Sequence, residues 1–335
     1  MKSARIAFLL AQWTWSFLLT PLACSSGVLD AGSDSPHGLL PVDERNPVIL
    51  SNDSPGDNWQ GLYAVLFANS GGPALAGIII NESLYWPDLD GNSAGWRNLV
   101  TAARASGLRN IPDPIASVGR PLVRPSDGNL DATVANRSEG ARLIVEASTR
   151  LSLPYRPLVV VTGGRLTDVA DAYLIDKSVV DRVVVVASLG STSTTGGTMG
   201  APNGELDPWA DWIVAQRFRF VQVSAYYDQT GDVLSSQLPS LPQNPLGRLI
   251  ASQQPNIRNL ATAADQVSIL AVALPEFVVA VQRVSQDPVA SFDATTGPAL
   301  LPDVNGPAWL VTSSDGALAT ARLWQLLLDP KTFGK

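Results

Sequence analysis

Val48–Gly61 reads VILSNDSPGDNWQG, an apolar run that ends in two carboxylates, an amide and a Pro-Gly turn packed between Asp53 and Asn58. The spacing predicts a buried strand over Val48–Asn52 that delivers polar ligands into a loop, followed by a helix over Trp59–Asn69. A second apolar run, Ala74–Asn81, fits a parallel strand and completes a βαβ unit. In such units chemistry collects at the carboxyl ends of the strands.

The alternation continues along the chain. Tyr85–Gly95 is polar and turn-rich, Trp96–Ser106 has helical spacing, and Pro114–Val118 suits a short strand. A Pro, Asp and Gly-containing connection, Arg120–Asn136, leads to an amphipathic helix over Asn136–Ser152. Pro157–Val161 and Asp181–Ser188 are β-branched runs expected as buried strands, with a helix over Thr167–Leu174 between them. Ser191–Gly204 has no periodicity and is expected as a loop, either a flap or a plain excursion. Helices are predicted at Trp209–Phe218, Asn244–Gln253, Ala261–Leu274 and Asp315–Leu328, and strands at Arg219–Val223 and Ala308–Thr312. Phe277–Val284 and Val289–Phe292 are expected to pair as a hairpin. Together they predict one α/β domain, a mostly parallel central sheet with helices on both faces.

Of the 335 residues, 45% are hydrophobic, enough to bury a large core. A formal charge of −7 disfavours a nucleic-acid partner, because neutralising phosphates takes clustered Lys and Arg. Residues 1–24 place Lys2 and Arg5 before an apolar stretch, Ile6–Leu19, in the layout of a signal peptide. Cys24, the only cysteine, follows a small residue and resembles a lipoprotein processing site, although Pro21 and Leu22 depart from that pattern. Lipid attachment at Cys24 and plain secretion are the two alternatives; both place the domain outside the cytoplasm, with the membrane reached only through a lipid. Residues 25–46 are expected as a flexible tether and 47–335 as the folded domain.

The only histidine, His37, falls in that tether, so the expected domain contains neither His nor Cys. A Ser-His-Asp triad, a Cys-His pair and a His/Cys zinc site are therefore excluded from it. Catalysis there would rest on carboxylates, amides, hydroxyls or an oxygen-ligated metal.

Four stretches in order resemble the inosine/uridine-preferring nucleoside hydrolase family, the calcium-dependent N-ribohydrolases. Asp53-Ser54-Pro55-Gly56-Asp57-Asn58 is similar to Asp-x-x-Gly-x-Asp-Asp, matched from its final pair. Gly163-Gly164-Arg165-Leu166-Thr167-Asp168 is similar to Gly-Pro-Leu-Thr-Asn, and Asp265 with Leu274-Pro275-Glu276 to Asp-Pro-x-Ala followed by Pro-Glu. Glu205-Leu206-Asp207 with Asp211 is similar to Glu-x-Asn-x-x-x-Asp. The resemblance spans about Val48 to Leu328 and implies hydrolysis of the N-glycosidic bond of a ribonucleoside or related riboside. It further implies that Asp53 binds calcium and acts as general base, with Asn58, Asp265 and the carbonyl of Thr167 as the other protein ligands. Asp57 and Asn92 would hold ribose hydroxyls, and Glu205 and Asp207 would reach the far end of the sugar. Such a reaction passes through an oxocarbenium-like state, so a held water and fixed hydroxyls are what it requires.

Three departures stand out. Asn58 replaces a ligand carboxylate, Ala264 precedes Asp265 where many relatives carry a His, and Asp207 replaces an amide. A sugar-binding surface lipoprotein without turnover is therefore the alternative to the enzyme. Taken singly, Asp53 and Asp57 also suit turn chemistry, Thr167 and Asp168 a helix cap, and the tryptophans core packing. Oligomeric state is left open, a homo-oligomer included.

Overall fold

Val48–Asn52, strand β1, is entirely buried, with every residue at 0% exposure. A strand covered on both faces needs apolar side chains on both, and alternate residues of β1 enter two separate cores. Val48 and Leu50 join one and Ile49 the other. The same division runs through β4 (Leu158–Thr162) and β5 (Val183–Ala187), where Val159, Val161, Val184 and Val186 face the first core, and Val160, Val183 and Val185 the second. Each fully buried valine contributes about 1.5–3 kcal/mol.

The computed structural model describes residues 39–54, 66–117, 120–189, 203–204, 206–224, 237–252, 265–294 and 297–328, and the backbone at 197–198. These residues belong to one unit, 32–335. The remaining strands are β2 (Leu75–Ile80), β3 (Pro114–Ala116), β6 (Gly197–Thr198), β7 (Arg219–Val223), β8 (Val278–Gln286), β9 (Ala299–Pro302) and β10 (Ala308–Ser314). They form a ten-stranded sheet in the order β3-β2-β1-β4-β5-β7-β10-β8-β9-β6. The segment from β3 to β10 is parallel, and β8, β9 and β6 are added antiparallel at one side.

Helices α1 (Leu89–Ala105), α5 (Pro245–Ser252), α6 (Gln266–Ala273) and α7 (Gly316–Leu328) cover the first core. The second is covered by α2 (Glu139–Leu151), α3 (Thr167–Ile175) and α4 (Pro208–Arg217). The expected α/β fold with helices on both faces is therefore present. Among the described residues no helix is long and apolar enough to cross a membrane.

Four details differ from expectation. Helix α1 starts at Leu89 rather than Trp96, because the Asp88 carboxylate caps it by accepting from Gly91 N at 3.0 Å. Val289–Ser291 is a 3₁₀ turn following Pro288, which has no N–H for a ladder, and β8 pairs instead with Ala299–Pro302. The loop over 191–204 contains β6, paired with β9. Packing also begins before residue 47: Leu40, Val42, Asp43 and Asn46 are buried, and Asn46 Nδ2 donates to Pro157 O at 2.8 Å. Of the helix expected at Trp59–Asn69, residues 66–69 are described and helical. The expected signal peptide, Cys24 and His37 lie outside the described residues.

Candidate active site

From β1 the chain winds through β2 to β3 on one side, whereas β4, β5 and β7 lie on the other. The order reverses between β1 and β4, so their carboxyl ends open a crevice where ligands bind in open α/β sheets. Asn52 and Asp53 occupy the end of β1, both at 0% exposure. The Asp53 carboxylate accepts from Ser54 N at 2.5 Å, and its carbonyl accepts from the indole N–H of Trp96 on α1 at 3.0 Å.

Asp265, immediately before α6, comes to the same place. Its carboxylate makes no capping bond to its own helix. Instead Oδ2 lies 3.4 Å from Asn52 Nδ2, and Oδ1 accepts from Asn203 Nδ2 at 2.9 Å. Asn203 also donates to Ser188 O at 2.7 Å, which ties the end of β5 into the cluster. Gly163, after β4, passes so close that a Cβ there would lie 2.4 Å from Asn52 Nδ2 and 2.6 Å from Asp265 Cγ. At Gly164 a Cβ would lie 1.9 Å from Asn81 Oδ1. The double glycine is thus dictated by side chains crowding the crevice.

Asn81 follows β2 and donates through Nδ2 to Ser51 Oγ at 3.0 Å and Arg165 O at 3.3 Å. Beside it, Arg165 and Glu82 form an ion pair at 2.8 Å. Asn92 is buried on α1, and its Nδ2 donates to Asn81 O at 3.1 Å and Trp86 O at 3.0 Å. Both hydrogen bonds go to backbone, so the Asn92 amide nitrogen braces the 81–86 loop.

Thr167, whose carbonyl is the expected cation ligand, is the first residue of α3, and its hydroxyl donates to Asp207 Oδ2 at 2.7 Å. Asp207 is the N-cap of α4, accepting from Ala210 N at 3.1 Å as well as from Leu122 N at 3.0 Å. With its oxygens filled by protein donors, it pins three segments together and does not project toward a ligand. Burial raises its pKa to about 6, against the hydrogen bonds from Thr167, Leu122 and Ala210 that lower it. Asp211, one turn on, is fully buried with neither oxygen hydrogen-bonded, and burial followed by the charge of Asp207 pushes its pKa well up. Asp168, in the first turn of α3, is raised by burial although Ser117 and Ser138 donate to it. Asp57, Asn58, Glu205 and Ala264 lie outside the described residues.

The donors in the crevice are all oxygens on the acceptor side, suited to a hard cation such as calcium. Asn52 Oδ1 and Asn81 Oδ1 are buried and accept no hydrogen bond, and Asn52 reaches Asp265 through its Nδ2. Among the described residues no three His, Cys, Asp or Glu side chains gather as a metal cluster. The set fits a calcium ion when amides are counted.

No protein-family model matches the sequence, and no curated protein matches it by sequence. Solved structures do. An inosine-uridine preferring nucleoside hydrolase from Bacillus anthracis superimposes with a TM-score of 0.62 at 13% identity, over 84% of this chain and 99% of that one. An inosine-guanosine nucleoside hydrolase gives 0.60 at 15% identity, over 84% and 98%. A purine-preferring ribonucleoside hydrolase from Gardnerella vaginalis gives 0.54 at 13%, over 85% and 98%. The chain has the nucleoside hydrolase fold.

Within that nucleoside hydrolase fold, the crevice also holds Asn52, Asn81, Asn203 and Glu82, which carry no signal of their own in the sequence, since single polar residues in loops have no periodicity. The available clue was position: Asn52 and Asn81 each close an apolar strand.

Proposed function

We propose that the chain hydrolyses the N-glycosidic bond of a ribonucleoside or related riboside in the crevice between β1 and β4. The observation that carries this is the convergence of two buried carboxylates, Asp53 and Asp265, at the switch point of the sheet, with Asn52 bridging from the neighbour of one to the other. A divalent cation would offset the cost of burying two carboxylates in one crevice.

Asp53, Asp265 and Asn58 would hold calcium, with Asn52 Oδ1 as a further oxygen beside them. When bound, calcium supplies a held water of lowered pKa. Asp53, buried away from bulk solvent, would act as the general base. Asn203 orients Asp265 by its hydrogen bond, while Asp57 and Glu205 would hold sugar hydroxyls. No histidine follows His37, so residues 38–335 offer the departing base no imidazole proton. Bases that leave readily are the preferred substrates for that reason.

The test uses the purified protein with inosine, uridine and an activated aryl riboside, in calcium and in chelator. Release of ribose that requires calcium and vanishes in Asp53→Ala is the expected result. Tight riboside binding without release at any calcium level would instead establish a binding protein, the reading that Asn58 in place of a carboxylate favours. We further propose export, with acylation at Cys24. Mass spectrometry of the membrane-extracted protein tests this, and an unmodified mature N-terminus would refute acylation.

A further inference from the structure

The nucleoside hydrolase crevice occupies the carboxyl ends of the strands. A second cavity, of about 500 Å³, has other walls. They come from Glu44 before β1, Phe67 and Gly71 before β2, Leu274 and Pro275 after α6, and Leu318 of α7.

We propose that this cavity binds a small aliphatic ammonium ligand, with Glu44 as its counterion. Glu44 Oε2 is buried and accepts no hydrogen bond. A carboxylate oxygen left in that state is costly until a donor reaches it, and a charged donor answers it best. Two helices end at the same cavity. The helix through 66–69 closes with Ser70 N donating to Leu66 O and Phe67 O, at 3.1 and 3.0 Å, and Gly72 N to Phe67 O at 3.0 Å. α6 closes with Leu274 N donating to Leu270 O at 2.9 Å. Helix carboxyl ends carry partial negative charge and attract cations.

The balance of charge agrees. Among the described residues Glu276 joins Glu44 on the lining against a single cation, Arg322, which donates to Gln325 Oε1 at 2.5 Å. An anion would meet two carboxylates and two helix carboxyl ends. The size excludes a bare metal ion as the natural occupant, since the volume lies in the range of organic ligand sites. Phe67, Leu274, Pro275 and Leu318 supply apolar wall for methylene groups. Gly71 has φ of +89° with no atom within 4 Å of where a Cβ would stand, so the backbone itself opens onto the space. Glu44 and Glu276 offer an anchor for each end of a short diamine.

Isothermal titration calorimetry on the purified full chain with 1,4-diaminobutane tests the assignment, with succinate as the anion of matching length. The diamine is expected to bind in the millimolar range or tighter, Glu44→Gln to weaken it at least tenfold, and succinate to give no binding. Binding of succinate as tight as the diamine, unchanged affinity in Glu44→Gln, or no heat from the diamine up to about 10 mM would overturn it. Should Glu44→Gln fail to fold by circular dichroism, Leu318→Trp decides. That side chain fills the cavity from α7, and retained diamine affinity would place the ligand elsewhere.

Discussion

Arg165 and Glu82 meet 2.8 Å apart across the end of β1, Arg165 reaching from the turn after β4 and Glu82 from the loop after β2. β1 lies between those two strands and carries Asp53, so the pair forms a clasp over the residue proposed to act as base. Arg165 N also donates to Glu82 O at 3.2 Å, which fixes the backbones as well as the charges. Arg165 is 7% exposed, and its guanidinium charge lies close enough to lower the pKa values of Asp168 and Asp207. Removing one partner leaves a buried charge without its closest counterion. Glu82→Gln is expected to lose about 3 kcal/mol of stability in urea unfolding, and a Glu82→Gln/Arg165→Met double variant less than the sum of the singles. A single variant within about 0.5 kcal/mol of the parent would show that the clasp is ornamental.

Gly163 and Gly164 have no room for a methyl group, with crevice side chains 2.4 and 1.9 Å from the two Cβ positions. Alanine at either site is expected to cost about 1–3 kcal/mol and to move the polar group it meets. The two differ in what they disturb: Gly163→Ala presses on Asn52 and Asp265, and Gly164→Ala on Asn81. Gly163→Ala should therefore weaken calcium binding in calorimetry more than Gly164→Ala does. Equal effects would separate Asp265 from the cation site.

How much of this was legible in the sequence follows from the physics of each element. β1, β4 and β5 were plain, because strands buried on both faces must be apolar at every position except their ends. Helix α1 was misread at its start because Gly91 and Asp90 resemble loop chemistry, whereas Asp88 makes them a capped first turn. Asp53 and Asp265 could be paired only through resemblance, being far apart in the chain. The motifs of Thr167 and Asp207 give no sign that their side chains bond to each other, a threonine opening one helix and an aspartate capping another. No local pattern announces such a pair. The role of Asn203 depends on where the loop after β5 returns, which composition does not encode.

Calcium bound by Asp53 and Asp265 would stabilise the folded chain, because the unfolded chain lacks the site. At a hundred times its dissociation constant the gain is about 2.7 kcal/mol. Differential scanning fluorimetry should show the melting temperature rising with calcium and falling back with chelator, with no response in Asp265→Ala. Asn203→Ala, which frees Asp265 Oδ1 from its 2.9 Å hydrogen bond, should keep a response at higher calcium. An unchanged melting temperature in the parent over the full range would remove calcium from the proposal.

Asp207 and Asp211 make stability depend on pH in a direction that can be worked out. Both are held by burial above the ordinary carboxylate value, Asp207 at about 6 and Asp211 well up. A carboxyl whose pKa is higher in the folded state binds its proton more tightly there. Its contribution is thus complete below about pH 4 and is lost as pH rises toward its folded value. For Asp207 the difference of about two pH units corresponds to roughly 3 kcal/mol. Asp131 and Asp176 act oppositely, held low first by hydrogen bonds from Tyr173 and Ser178, and they are common to parent and variant. Asp211→Asn keeps the shape of the side chain and removes its titration. Urea unfolding at pH 4, 5, 6 and 7 should give equal stability for parent and variant at the acid end, with the variant ahead at neutral pH. Parallel curves would mean that Asp211 ionises as readily in the folded chain as in the unfolded one, and that its burial in α4 is answered by a donor.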